Sequence, residues 1–91
     1  MQISAHIIIK GLVQGVGFRW FVEREADKLA LKGFVRNLPN GDVETEVEGE
    51  KGLIDEFVQQ LKIGNRMSRV SDVIVTPGDF TGKFTDFQIR F

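Results

Sequence analysis

The sequence predicts an α+β fold of the ferredoxin-like kind: a βαββαβ sandwich with an antiparallel sheet, two helices on one face and an extra C-terminal strand. Three observations carry this expectation. Apolar residues alternate over residues 3–10 and 42–48, the period of a half-buried strand. The period changes to that of an amphipathic helix over residues 18–32 and 51–63. Asn40-Gly41 joins two extended runs, the residue pair that best suits a tight hairpin turn.

In chain order, Ile3, Ala5, Ile7 and Ile9 share one face of the first strand, and a glycine-rich stretch ends it. Phe18, Phe21, Val22, Ala26, Leu29 and Ala30 then form one helical stripe, with Glu23, Arg24, Asp27 and Lys28 opposite. Gly33 suits the end of this helix, where positive φ is common. Residues 34–38 read as a second strand and Pro39-Asn40-Gly41 as the turn after it. On the third strand Val43, Thr45 and Val47 point inward, while Glu44, Glu46 and Glu48, with Glu50 beyond, form a solvated row. Leu53, Ile54, Phe57, Val58 and Leu61 give the second helix its stripe, and Gly64-Asn65 stops it. Residues 70–75 form a fourth strand, Thr76-Pro77-Gly78 a break and residues 84–91 a last extended piece. Phe80, Phe84, Phe87 and Phe91 are expected to complete the core.

Length and composition narrow the function. The 91 residues suit one domain, 1–91, without internal repeat or linker. Lys and Arg number 12 against 13 Asp and Glu, which disfavours a general nucleic-acid binder. Without cysteine there is no disulfide, thiolate nucleophile or zinc-thiolate site, and His6, the only histidine, excludes a multi-histidine metal centre. No run resembles a signal peptide or a membrane span of ~20 apolar residues. A cytoplasmic monomer is the expectation.

The chemistry concentrates in Gly11-Leu12-Val13-Gln14-Gly15-Val16-Gly17-Phe18-Arg19. Successive amides entering a helix N-terminus make an anion site, because the free N–H groups converge where the helix dipole favours negative charge. Gly15 and Gly17 can take the conformations that aim those amides inward. Arg19, in the first helical turn, offers a planar fork to a phosphate-type oxyanion. A glycine-rich connector beside a surface arginine accounts for the stretch taken alone equally well. The Walker A pattern fails because Phe18-Arg19 follows Gly17, and the dinucleotide pattern fails because Trp20 stands where a glycine is needed. Asn37, at the end of the second strand, is an ordinary turn former. In a split βαβ unit, however, the first and second strands run in the same direction with the third between them. The glycine loop and Asn37 therefore leave the same edge of the sheet, roughly 10 Å apart, and a carboxamide there can hold a water molecule.

Val13-Gln14-Gly15-Val16-Gly17-Phe18-Arg19, together with Gly33-Phe34-Val35-Arg36-Asn37-Leu38-Pro39-Asn40-Gly41-Asp42-Val43-Glu44, resembles the acylphosphatase family. The resemblance spans essentially the whole chain. It implies metal-independent and cofactor-free hydrolysis of the carboxyl-phosphate bond of acyl phosphates, with inorganic phosphate as product and competitive ligand. It further implies that Arg19 and the amides of Gln14, Gly15, Val16, Gly17 and Phe18 bind the phosphoryl group while Asn37 orients the attacking water. Leu12 departs from the pattern, since many members carry a basic residue there.

Such chemistry needs no protein base. An acyl phosphate has a good leaving group, so positioning and stabilisation of charge on the phosphoryl oxygens suffice. His6, in mid-strand, is an unsuitable catalyst. An RNA-binding module is the rival reading, since Lys32-Gly33-Phe34-Val35-Arg36 partly mimics an RNA-recognition motif. That motif belongs on the third strand, which here carries a carboxylate row that would repel a phosphate backbone. A domain of the same type inside a larger carbamoyl-transfer protein, or an anion sensor without turnover, are further readings that the chain length and Asn37 disfavour.

Overall fold

Hydrophobic alternation and the two helical stripes assemble a two-layer molecule. The computed structural model describes residues 1–91. In order it contains β1 (Gln2–Leu12), α1 (Phe18–Lys28), β2 (Lys32–Asn37), β3 (Val43–Glu50), α2 (Lys51–Ile63), β4 (Arg69–Asp79) and β5 (Phe87–Arg90). The strands form one sheet in the order β4-β1-β3-β2-β5. Neighbours pair antiparallel except β2 and β5, which run parallel, so the sheet is mixed.

The core lies between the helices and one face of the sheet. Ala5, Ile7 and Ile9 of β1, Val35 of β2 and Val43 and Val47 of β3 are buried against Phe18, Phe21, Val22 and Ala26 of α1 and Ile54, Phe57, Val58 and Leu61 of α2. Thr45 shares this face and hydrogen-bonds the Phe34 carbonyl at 2.6 Å, so its hydroxyl is satisfied where it is buried. Full burial of large side chains at these positions stabilises the fold by about 1.5–3 kcal/mol each.

Five details depart from the sequence expectation. First, α1 ends at Lys28, well before Gly33. Leu31 N–H donates to the Ala26 carbonyl and Ala30 N–H to that of Asp27, a Schellman closure in which Ala30, at φ 55°, takes the left-handed position. The buried side chain of Leu31 explains the choice, because the chain turns early to place it in the core. Second, Gly33 lies inside β2 at φ 150°, where a Cβ would fall on the Glu46 carbonyl oxygen. Third, β4 continues through Thr76-Pro77-Gly78, which were expected to break it. As an edge strand it tolerates proline, whose missing N–H costs no ladder bond on the open side.

Fourth, of the C-terminal phenylalanines only Phe87 is buried, whereas Phe80 and Phe91 are exposed. The last strand is correspondingly short, because only residues 87 to 90 pair with β2. Fifth, the carboxylate row is not uniformly solvated. Glu48 is 2% exposed and accepts hydrogen bonds from Thr81 N at 2.8 Å, Thr81 Oγ1 at 2.7 Å and Gly82 N at 2.9 Å. Glu44 and Glu46 are half-buried and Glu50 is exposed. Glu44 meets His6 and Arg36, and Glu46 meets Lys83 at 3.2 Å.

Candidate active site

The order β1-β3-β2 brings the C-terminal ends of β1 and β2 to one edge of the sheet. From that edge the chain leaves β1, turns through residues 13–17 and enters α1. Gly15 and Gly17 both take φ 73°, a left-handed conformation that other residues adopt only with strain. Gly17 is also the N-cap of α1, and no side chain caps this helix. None of the backbone amides of residues 14 to 20 donates a hydrogen bond within the protein. A helix end of this kind offers its free amides to water or to an anion.

Val13, Gly15, Gly17, Phe18, Arg19, Trp20 and Asn37 enclose a cavity of about 120 Å³ at this edge. A larger hollow of about 330 Å³ lies beside Lys62 and Asp72, but the smaller one alone gathers the glycine loop, Arg19 and Asn37. Its size suits a phosphoryl-sized group rather than a whole drug-sized ligand, for which about 300 Å³ is a lower bound. Val13 and Phe18 form the buried floor, and Trp20, 60% exposed, stands at the mouth.

Arg19 has no carboxylate partner. Its Nη1 donates to the Arg90 carbonyl at 3.3 Å and its guanidinium lies 4.5 Å from the centre of the Phe91 ring. A stacked arginine with donors to spare keeps its charge available for an anion. Phe91 therefore orients Arg19 through its ring, and the Arg90 carbonyl does so directly.

Asn37 lines the same cavity, and its Oδ1 is buried without a hydrogen-bond partner. Buried polar atoms are nearly always paired, so an unpaired one in a side chain that lines a cavity stands out. Gln14 is placed differently. Its side chain does not line the cavity, and its Nε2 donates to the carbonyls of Leu38 and Asp42, each at 2.8 Å. This brace ties the glycine loop to the turn after Asn37. Val16 also lies outside the lining, and its carbonyl accepts from Asn65 Nδ2 at 2.9 Å. Asn65 went unnoticed in the sequence except as part of a helix stop, because only the tertiary fold brings it to the loop. Leu12, just ahead of the loop, is exposed.

His6 stands on the opposite sheet face, paired in register with Glu46 and Thr76 and with its Nε2 2.8 Å from Glu44 Oε2. Burial pushes the Glu44 carboxyl up, but hydrogen bonds from His6 and Arg36 outweigh it and hold the group below its ordinary range. This cluster is a surface network of polar and charged side chains on the sheet face opposite the core. No group of three His, Cys, Asp or Glu residues suitable for a metal ion occurs in the protein. No helix is long and apolar enough to cross a membrane.

The acylphosphatase family model matches residues 5–89. The chain belongs to the acylphosphatase family. An acylphosphatase from Chlorobaculum tepidum is 46% identical over 84 residues, covering 92% of this chain and 91% of the relative. The crystal structure of acylphosphatase from Bacillus subtilis superposes with a TM-score of 0.94 at 41% identity, with both chains covered completely. Full-length HypF in its phosphate- and nucleotide-bound form contains a similar domain, with a TM-score of 0.86 and 33% identity. That match covers this whole chain but 12% of HypF. Acylphosphatase domains thus occur both alone and within longer proteins.

Proposed function

We propose that this acylphosphatase-family protein hydrolyses acyl phosphates at the 120 Å³ cavity, with the phosphoryl group seated on the glycine loop. The observation that carries the reading is the convergence there of unpaired loop amides, an arginine without a carboxylate partner and Asn37, whose carboxamide has no partner in the protein. The amides of Gln14, Gly15, Val16, Gly17 and Phe18, with Arg19, hold the three phosphoryl oxygens and stabilise the charge that spreads over them. The Asn37 carboxamide, which offers both a donor and an acceptor, holds the attacking water and sets it in line with the phosphorus. The water oxygen forms the new P–O bond as the bond from phosphorus to the carboxyl oxygen breaks, and the carboxylate leaves with the electron pair.

None of the seven residues that enclose the cavity is a base, so a phosphoryl oxygen takes the water's proton. We take the reaction to run without a metal, as the family resemblance implies. With the phosphoryl group in the cavity, the acyl portion extends toward the mouth beside Trp20.

The decisive assay is hydrolysis of an aryl acyl phosphate in the presence of EDTA. Asn37→Ala should lose at least about 10² in turnover, the scale for removing one preorganised donor or positioning group, and keep its sensitivity to inorganic phosphate. Arg19→Ala should lose a similar factor and also bind phosphate more weakly. Near wild-type turnover in Asn37→Ala would remove the water-positioning role, and activity abolished by EDTA would remove the metal-free mechanism.

A further inference from the structure

Asn65 emerges from the end of α2, immediately after Gly64, in a tight polar turn. Its N–H donates to Ser68 Oγ at 2.9 Å, and its carbonyl accepts from the Ser68 hydroxyl at 3.0 Å and the Ser68 N–H at 3.2 Å. With its backbone fixed in this way, the side chain reaches across to the glycine loop and donates from Nδ2 to the Val16 carbonyl at 2.9 Å. The amide orientation follows from chemistry, since the alternative would set two oxygens against each other. It leaves Oδ1 buried and unpaired. An asparagine held at that cost is retained for what its donor end does.

The peptide joining Val16 to Gly17 is planar and trans, so its C=O and N–H point in opposite directions. Fixing the carbonyl toward Asn65 therefore turns the Gly17 N–H away from Asn65. Gly17 lines the cavity and Asn65 does not. We propose that Asn65 is a positioning residue for phosphoryl binding: by holding the Val16 carbonyl it aims the Gly17 amide into the cavity. The flexible left-handed glycine supplies the conformation, and Asn65 removes the alternatives. Gln14 braces the loop on the side of the β2–β3 turn, and Asn65 does so on the side of α2.

The inference rests on the phosphoryl-binding reading of the loop, and one experiment separates the two. Inorganic phosphate is titrated into the ¹⁵N-labelled protein while the loop amide resonances are followed. In the wild type the Gly15 and Gly17 amides should shift; if neither does, the phosphate-loop reading itself falls. In Asn65→Ala the Gly17 response should be selectively diminished and phosphate inhibition weakened about ten-fold. That is less than the ~10²–10³ for removing an oxyanion donor outright, because the amide is misaligned rather than lost. A Gly17 response and an inhibition constant equal to wild type would overturn the proposal, as would an even loss across all the loop amides.

Asn65→Asp preserves the size of the side chain and provides a second test should the alanine variant fold poorly. Its carboxylate repels the Val16 carbonyl at neutral pH, but once protonated, below about pH 4, its hydroxyl can donate in place of Nδ2. The ratio of variant to wild-type inhibition constants should therefore fall toward one on acidification. A ratio independent of pH would overturn the proposal.

Discussion

Glu48→Gln changes one atom of a buried carboxylate and should remove a large part of the fold's stability without touching the active site. Glu48 Oε2 accepts from Thr81 N and Oγ1 at 2.8 and 2.7 Å, and Oε1 accepts from Gly82 N at 2.9 Å. A carboxamide has one oxygen. Its better orientation preserves both bonds from Thr81 and sets an NH₂ group against the Gly82 N–H. The lost bond was charge-assisted, worth about 1.5–3 kcal/mol, and the two that survive become neutral and weaker. Burying a neutral amide in place of an ion returns part of this. The net loss should be about 2 kcal/mol, a fall in Tm of roughly 10 °C for a domain of this size.

The pH dependence makes the test specific. Burial pushes the Glu48 carboxyl up, but the bonds from Thr81 and Gly82 and the nearby Lys83 charge outweigh it, so the folded-state pKa lies below the ordinary value. A depressed carboxyl contributes stability that is complete above its unfolded pKa, about 4.3, and is lost as pH falls through the lower folded value. Chemical denaturation should therefore show the full gap between wild type and Glu48→Gln near neutrality and a closing gap below about pH 4. Turnover below the variant's Tm should match wild type, because Glu48 pairs with Ser4 and Lys32, at the end of the sheet away from Asn37. Equal stability at neutral pH, or a gap of the same size at about pH 3, would refute the reasoning.

Other expectations are read as simply. Gly33→Ala should fail to fold or aggregate, since its Cβ meets backbone at Glu46, whereas Ala30→Gly should raise stability by up to about 1 kcal/mol by relieving a left-handed alanine; thermal melts of both variants test the assignment of the α1 terminus. Trp20 is the only tryptophan, there is no tyrosine, and the indole stands at the cavity mouth. Saturating inorganic phosphate should alter its emission in the wild type and much less so in Arg19→Ala, and an unchanged wild-type spectrum would move the phosphate site elsewhere.

Much of this was legible in the sequence where the signal is local. α2 has the predicted bounds because its stripe, its start and the glycine that stops it all lie within one short segment. The glycine loop and Asn37 were legible for a related reason. Each carries its own backbone chemistry, and βαββαβ connectivity allows few ways of arranging their strands. Ala30, Pro77 and Glu48 were not legible, because each defies its local preference, and the role of Asn65 was not, because its contact with Val16 is made only across the fold.

Periodicity alone sufficed for a sheet with two helices, and local motif chemistry for the residues proposed to receive a phosphoryl group. Only the tertiary structure decided that α1 ends early so that Leu31 is buried, that β4 runs through a proline on an open edge and that β5 lies parallel to β2. It likewise decided that Glu48 is buried under Thr81 and Gly82 and that Asn65 reaches Val16. Local propensities amount to about 1 kcal/mol or less per residue, and a buried side chain or a charged hydrogen bond made across the fold exceeds them.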